Sequence, residues 1–454
     1  MTPNPIILEI KTLSPDGLGV AQWEGKTVLV RDALAGEQVE AEIIRRRRGQ
    51  TEAKTLRVIV PAQDRVSPRC AHFGICGGCK LQHLSYDSQV EWKGRWLGNL
   101  FRAELPGQID VPLERVAMED PWQYRGKMEF SFSPEEGRLG LGLHRSGSFQ
   151  RVVNLKECPI APDVVSALLP VIRAAAEASG QPAYDTRRCE GFWRHAVVRV
   201  SRSAQTAMVT IVTREGPAEW MEPMVRMIRE QVPQVKALFW GISNRISDVA
   251  YAEKMTQLFG DDHLEDQIGA VRFHFGPTQF VQPNRLLAEA AYQAIRENCR
   301  LTGNETVYDL YCGMGLISLA LAPFARAVYG VESESDNVAL AEQNAALNGI
   351  TNASFICGKT EDLLRGGAIF KLGGKPDRIV LDPPRAGLHG DSIAPVLQAR
   401  APRIVYLSCN PKTLVNDLKA MLKRDPAYRV ERVQWFDFFP HTIHMETLVT
   451  LVRR

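Results

Sequence analysis

No stretch of this chain approaches the roughly 20 consecutive apolar residues that a membrane span needs, and the opening segment MTPNPIILEI lacks the basic stretch followed by an apolar run of an export signal. These absences argue against membrane and secreted classes, and a cytoplasmic protein is expected. Internal repeats and low-complexity tracts are missing too, which removes solenoids and disordered linkers. Nine cysteines in 454 residues, most without close spacing, do not make a disulfide scaffold. They read instead as metal-binding or catalytic thiols in a reducing compartment. An excess of one charge is also lacking, since the formal net charge is only +3. Attraction to a polyanion must then come from local bunching, as in Arg45-Arg46-Arg47-Arg48.

What is there has globular proportions, 45% hydrophobic and 24% charged. The length exceeds one ordinary core and suggests about three units. Residues 1–60 read as short alternating strands (6–10, 27–30, 37–44, 53–59) broken by Asp16-Gly17, Gly19 and Gly36. That spacing suggests a small OB-like β-barrel of the kind that tracks single-stranded nucleic acid, with the arginine run in the loop after a strand. A central α+β region follows over 61–270, with a helix over 86–105 that packs on the unit after it. Within it, Trp122, Tyr124, Arg125 and Lys127 pair aromatics with cations, a combination that either stacks bases and holds phosphates or packs a strand.

From residue 271 to 454 apolar strands (307–310, 328–331, 354–356, 379–381, 404–407, 430–436, 447–452) alternate with helices, the pattern of a Rossmann-like, doubly wound α/β sheet. Val307 to Gly315 ends a strand in a glycine turn that opens a helix, and Glu332 closes the next strand, where an acid can accept bonds from both ribose hydroxyls. A dinucleotide fold is the rival, but Ser318 stands where a third glycine would be. In open α/β sheets ligands bind beyond the carboxyl ends of the strands, so Tyr311, Glu332, Asp382 and Cys409 are expected around one crevice. Cys409, in the tight turn Ser408-Cys409-Asn410-Pro411, is the candidate nucleophile. Glu446 opens the last strand. If that strand runs antiparallel beside the fifth, Glu446 arrives next to Cys409 as the candidate base.

Together these segments resemble the RNA 5-methyluridine methyltransferase family over nearly the whole chain. The likeness is carried by Asp309-Leu-Tyr-Cys-Gly313, Asp382-Pro-Pro-Arg385-Ala-Gly387, Leu407-Ser-Cys-Asn-Pro411 and Asp437-Phe-Phe-Pro440-His441-Thr442-Ile-His444-Met-Glu446. It implies a class I methyltransferase sheet that uses S-adenosylmethionine. Gln282, Tyr311, Glu332 and Asp382 would contact the cofactor or the target base. Asp16-Gly17-Leu-Gly19-Val-Ala21 and Ala33-Leu-Ala-Gly36-Glu37 resemble the TRAM module, an RNA-binding barrel. The chemistry follows from the substrate: C5 of uracil is a poor nucleophile until a thiolate adds to C6, and a base must then take the C5 proton so that the thiolate can leave.

Cys70-x5-Cys76-Gly-Gly-Cys79 sets three thiols on one loop, and Cys158 is the best remaining fourth ligand. Four thiolates suit zinc or an iron–sulfur cluster, with a structural disulfide as the plain alternative. The resemblance favours a [4Fe-4S] cluster, and with it 23S ribosomal RNA over transfer RNA as substrate. A monomer with an RNA partner is expected. Two competing functions remain: an RNA 5-methylcytidine enzyme, disfavoured because Asp382-Pro383-Pro384-Arg385 offers no second cysteine, and a non-catalytic iron–sulfur RNA-binding protein.

Overall fold

A computed structural model describes residues 5–47, 49–135, 138–148 and 150–454. In the first stretch β1 (Ile6–Glu9), β2 (Thr12–Leu13), β3 (Gly19–Trp23), β4 (Lys26–Arg31), β5 (Gln38–Arg47) and β6 (Gln50–Val60) form one six-stranded sheet, in the order β1-β5-β6-β4-β3-β2. β1 pairs with β5 and its continuation β2 with β3, so one stretch of chain joins the two edges and closes the sheet on itself. Alternate residues Leu8, Ala21, Val28, Val30, Val39, Ala41 and Ala53 fill the inside, as the two-residue period of a strand requires. The sequence pattern missed β2 and β3 because both are short and glycine-flanked. Its placement of the arginine run also needs correction. Arg45 and Arg46 lie within β5 rather than in a loop, because the β5–β6 hairpin runs on to the pair Arg47 and Gln50. Arg46 lies over the Trp23 ring, 5.5 Å from its centroid, and Arg48 falls outside the described residues.

Next come α1 (Tyr86–Glu104) and β7 (Leu113–Val116). A seven-stranded sheet follows, built from β8 (Lys127–Glu135), β9 (Arg138–His144), β10 (Val152–Asn154), β11 (Trp193–Ser201), β12 (Thr206–Thr213), β13 (Val235–Ile242) and β14 (Lys254–Gly260), in the order β10-β9-β8-β11-β12-β13-β14. Helices α2 (Asp163–Ala178) and α3 (Glu222–Gln231) pack on each other and on this sheet. The hairpin β15 (Leu264–Ile268) and β16 (Val271–Phe275) straddles residue 270 and leads into α4 (Arg285–Cys299).

The last part alternates strand and helix: β17 (Thr306–Leu310), α5 (Leu316–Leu321), β18 (Ala327–Glu332), α6 (Ser335–Leu347), β19 (Ala353–Cys357), α7 (Thr360–Arg365), α8 (Ala368–Gly373), β20 (Arg378–Leu381), α9 (Gly390–Gln398), β21 (Arg403–Ser408), α10 (Pro411–Arg424), β22 (Tyr428–Phe436) and β23 (Glu446–Arg453). The eight-stranded sheet has the order β19-β18-β17-β20-β21-β23-β22-β7, with β23 alone antiparallel to its neighbours β21 and β22. The strand order reverses between β17 and β20, and it is beyond the carboxyl ends there that such sheets hold ligands. β7 comes from before the central sheet, yet it pairs with β22 at the edge of this one. Among the described residues no helix is long and apolar enough to cross a membrane.

A buried ion pair ties the central and last parts together. Asp266 of β15 accepts from Arg285 Nε at the start of α4 (2.9 Å), from the backbone N–H groups of Ser203 (3.0 Å) and Gln267 (2.9 Å), and from the Ser203 hydroxyl (2.9 Å). Burial pushes this carboxyl upward, but the Arg285 charge and the N–H donors outweigh it and hold it below the ordinary aspartate value. Asp266→Asn leaves Arg285 buried and uncompensated, so the variant is expected to lose about 3–5 kcal/mol of stability at pH 7 in urea denaturation. A lowered folded-state value stabilises above the unfolded value of about 3.9 and stops doing so as the pH falls through the folded one. The gap between variant and wild type should therefore narrow in acid.

Candidate active site

The strand ends deliver their side chains to one crevice. After β17 the chain turns through Tyr311, whose backbone takes the left-handed conformation (φ 69°), and through Gly313 and Gly315 (φ 54° and 82°) into α5. A side chain on Gly315 would strike Phe355 at 2.8 Å, so the turn needs glycine there. Gly313 N–H donates to Glu332 Oε2 (3.1 Å), while Glu332 Oε1 accepts from Glu334 N–H and Ser333 Oγ (3.0 and 3.1 Å). The acid that closes β18 is thus fixed against the glycine turn, as a ribose-binding carboxylate needs to be. The Tyr311 hydroxyl is 3.1 Å from Ser392 Oγ.

Cys409 follows β21, and Glu446 begins β23. Ser408 is the register partner of Thr447, and Cys409, one residue beyond β21, lies near enough to Glu446, the first residue of β23, to feel its charge. The turn is made by Asn410 and Pro411. Asn410 caps α10 by accepting from Lys412 N–H (3.2 Å), with Pro411 at the first helical position, where its missing N–H costs nothing. The Asn410 amide also donates to the Arg385 carbonyl (3.1 Å), which accepts the Thr413 hydroxyl as well (3.3 Å). The Asp382–Arg385 loop is thereby fastened to the cysteine turn. Gln282 is buried in the loop before α4, its carbonyl bonded by Arg285. Asn284 caps that helix through Leu287 N–H and donates to the Phe438 carbonyl (3.1 Å).

Electrostatically the crevice is a nest of acids. Burial pushes Asp309 to about 7, with Glu332 adding to the rise against the Ser318 bond. Burial and the Asp309 charge do the same to Asp382. Burial, then Asp382, raises Glu446 well above the glutamate range. Among the described residues neither Asp309 Oδ1 nor Glu446 Oε2 has a hydrogen-bond partner. Buried orphan acceptors mark a place for a ligand, and this acid set suits a cation beside a hydrogen-bonding ring. Cys409, half-buried, is pushed up to about 11 by burial and by Glu446, with Asp382 adding to the effect and Arg385 opposing it.

Asp309 feels the charge of Glu332, Asp382 that of Asp309, and Cys409 that of both Asp382 and Glu446, so these groups lie near one another at the strand ends, while Tyr311 sits in the turn between β17 and α5. The sequence reading missed Asp309 and Arg385 as members of the site, although both stood inside quoted motifs. Asp309 lies within β17 and looks like a core position until its burial without a full set of partners is seen. For the segment after residue 121 the packed alternative holds. Trp122 stacks on His441 (centroids 4.0 Å apart, 28°), and Arg69 lies over its ring at 5.1 Å. The buried Tyr124 hydroxyl donates to the Pro440 carbonyl (3.0 Å). Both rings hold the loop before Glu446 and are not free to stack bases.

The other thiols named from the sequence converge as well. Cys70, Cys76, Cys79 and Cys158 line one small cavity of about 20 Å³, walled by Phe73, Leu143, Leu155 and Ile160. None forms a disulfide. Burial pushes Cys79 up to about 12 and Cys158 to about 11, and each feels the charge of the other thiols. Among the described residues no three His, Cys, Asp or Glu side chains are spaced to hold a single metal ion.

A family model described as tRNA (Uracil-5-)-methyltransferase matches residues 86–454. An uncharacterized RNA methyltransferase of Nitratidesulfovibrio vulgaris is 35% identical over 448 residues, covering 97% of this chain and 94% of that one. An uncharacterized RNA methyltransferase of Halalkalibacterium halodurans is 33% identical over 444 residues, covering 97% and 95%. Among solved structures, the tRNA (uracil-54, C5)-methyltransferase of Pyrococcus abyssi in complex with S-adenosyl-L-homocysteine superposes with a TM-score of 0.79 at 25% identity, covering 98% of this chain and 99% of that one.

The raised thiol value has a direct consequence. Only the thiolate alkylates, so iodoacetamide labelling of Cys409 in the ligand-free protein, read on its own peptide by mass spectrometry, should accelerate about tenfold per pH unit from 7 to 10. Levelling off at about pH 9 would show an ordinary, unburied thiol instead.

Proposed function

The chain belongs to the tRNA (uracil-5-)-methyltransferase family, is an RNA methyltransferase that takes its methyl group from S-adenosylmethionine, and from that premise we propose that it methylates C5 of a uridine through a covalent adduct on Cys409. The observation that carries the reading is the closeness of Cys409, just past the end of β21, to Glu446 at the start of β23, the strand antiparallel to it. S-adenosylmethionine supplies an electrophilic methyl group. Glu332 holds the ribose, Tyr311 and Gln282 line the approach, and Asp382 hydrogen-bonds the cofactor or the base.

Cys409 adds as thiolate to C6 of the ring, which moves electron density onto C5, and C5 takes the methyl group. Glu446 then removes the C5 proton; the C–H electron pair forms the C5–C6 double bond, and the C6–S pair returns to Cys409. Arg385 is the residue that favours the thiolate, since it alone among the named neighbours opposes the rise. Glu446 suits this work because burial and the Asp382 charge raise its affinity for a proton, which favours proton removal by the ionised carboxylate.

Cys70, Cys76, Cys79 and Cys158 are the residues that the sequence resemblance assigns to a [4Fe-4S] cluster. Their thiols share one apolar-walled cavity and are unpaired. A cluster there would brace the loop against β9, where Gly77 N–H bonds the His144 carbonyl (2.9 Å). Methyl transfer needs no electrons, so these cysteines serve structure and not the reaction.

The closed sheet of residues 6–60, read as a TRAM module, would carry RNA along β5, where Arg45 and Arg46 are exposed. The sequence resemblance favours 23S ribosomal RNA as substrate for a cytoplasmic monomer. A second reading, transfer RNA, is favoured by the full-length likeness to the Pyrococcus abyssi enzyme. Mass-spectrometric mapping of 5-methyluridine in both RNAs from cells lacking the protein separates the two. One site should disappear, and persistence of every site sinks the proposal. Cys409→Ala should abolish methylation, and Glu446→Gln should lower kcat by about 10²–10⁴-fold while an RNA–protein adduct that survives denaturant builds up.

A further inference from the structure

Phe436 and Glu446 are register partners at the ends of β22 and β23, so residues 437–445 form a closed connection between adjacent antiparallel strands. Nine residues is long for such a loop, since hairpins commonly use two to five, and a loop of that length leaves its ends loosely defined unless something grips it. Here the grip comes from α1, more than 300 residues earlier. Lys93 has no exposed side-chain surface, and neither has Asp437 (both 0%). The Lys93 ammonium donates to the Asp437 carboxylate, to the Phe439 carbonyl (3.1 Å) and to the His444 carbonyl (3.0 Å). An ammonium has three donors, and here they meet acceptors at the start, the middle and the end of the connection. One turn earlier on the same helix, Gln89 accepts the His441 N–H (2.9 Å) and donates to the Leu84 carbonyl (2.8 Å).

Stability does not account for this arrangement. Taking a lysine and an aspartate fully out of water costs about as much as their attraction returns, and an apolar pair of the same volume commonly does as well. What the ammonium supplies and an apolar side chain cannot is a fixed path for the loop. Glu446 depends on that path, because its Oε2 has no hydrogen-bond partner among the described residues. Its carboxyl is aimed by the backbone that enters β23, two residues after the carbonyl that Lys93 holds.

We propose that Lys93, through Asp437 and the Phe439 and His444 carbonyls, is the positioning residue for Glu446, setting the reach of that carboxylate to the C5 proton of the adduct. The inference rests on the reading of Glu446 as the base. Losing Lys93 then slows release of the adduct more than its formation: the thiolate still adds and the methyl group still transfers, but the proton stays on C5 and the C6–S bond does not break.

The test uses full-length protein, S-adenosylmethionine and total RNA from cells lacking the protein. Lys93→Met alone strands a buried carboxylate and can unfold the chain, so the double variant Lys93→Met/Asp437→Leu, which removes both charges, is compared with wild type and with Glu446→Gln. Expected for the double variant are an unfolding midpoint near wild type, a KM for S-adenosylmethionine within about twofold, and a kcat lower by about 10- to 100-fold. The denaturant-stable RNA adduct should accumulate as it does in Glu446→Gln. An adduct fraction and kcat equal to wild type in the folded double variant overturn the role of Lys93 alone. Absence of adduct in Glu446→Gln overturns the base assignment and the role of Lys93 with it.

Discussion

Three buried carboxyl groups close enough to raise one another's pKa are the constraint to which the rest of the molecule answers. Asp309, Asp382 and Glu446 come from three different strands, and each is lifted in pKa by burial and by a neighbouring acid. Like charges so placed cannot all ionise in the absence of a cation. A fold chosen for stability alone would not gather them. The arrangement makes sense if the crevice is completed by a positively charged ligand such as a sulfonium, whose arrival lets the acids ionise together. The same field holds the Cys409 thiol in its unreactive form beforehand.

Much of this was legible in the sequence because α/β sheets place function at strand ends. The strands of the last sheet after residue 300 were found to within about two residues, from their apolar runs and from the punctuating motifs. The antiparallel β23 supplied the closeness of Glu446 to Cys409. The cysteines were legible for another reason: few other arrangements use thiols at such spacing, and Cys158 does reach the cavity of the other three.

What stayed hidden depends on long-range packing. Lys93 reads in sequence as one more cation on a helix, and only the fold buries it against residues 437–444. Trp122 and Tyr124 looked available because sequence gives composition and not neighbours, whereas His441 and Pro440 occupy them. β3 and β7 were missed because five- and four-residue strands carry too little alternation to stand out from turns.

The edge strand β7 has a consequence for how the chain comes to be. It is synthesised with the first quarter of the protein, but its only strand neighbour, β22, begins at Tyr428. On the ribosome β7 and α1 must therefore wait, unpaired, while the whole central sheet and most of the last one are made. Contacts so distant in sequence form slowly. An enzyme lacking residues 113–116 would carry a bare β22 edge ready to join another chain. The two halves of the gene are in this sense one folding unit, and recombination at the boundary between them would break a sheet as well as a linker.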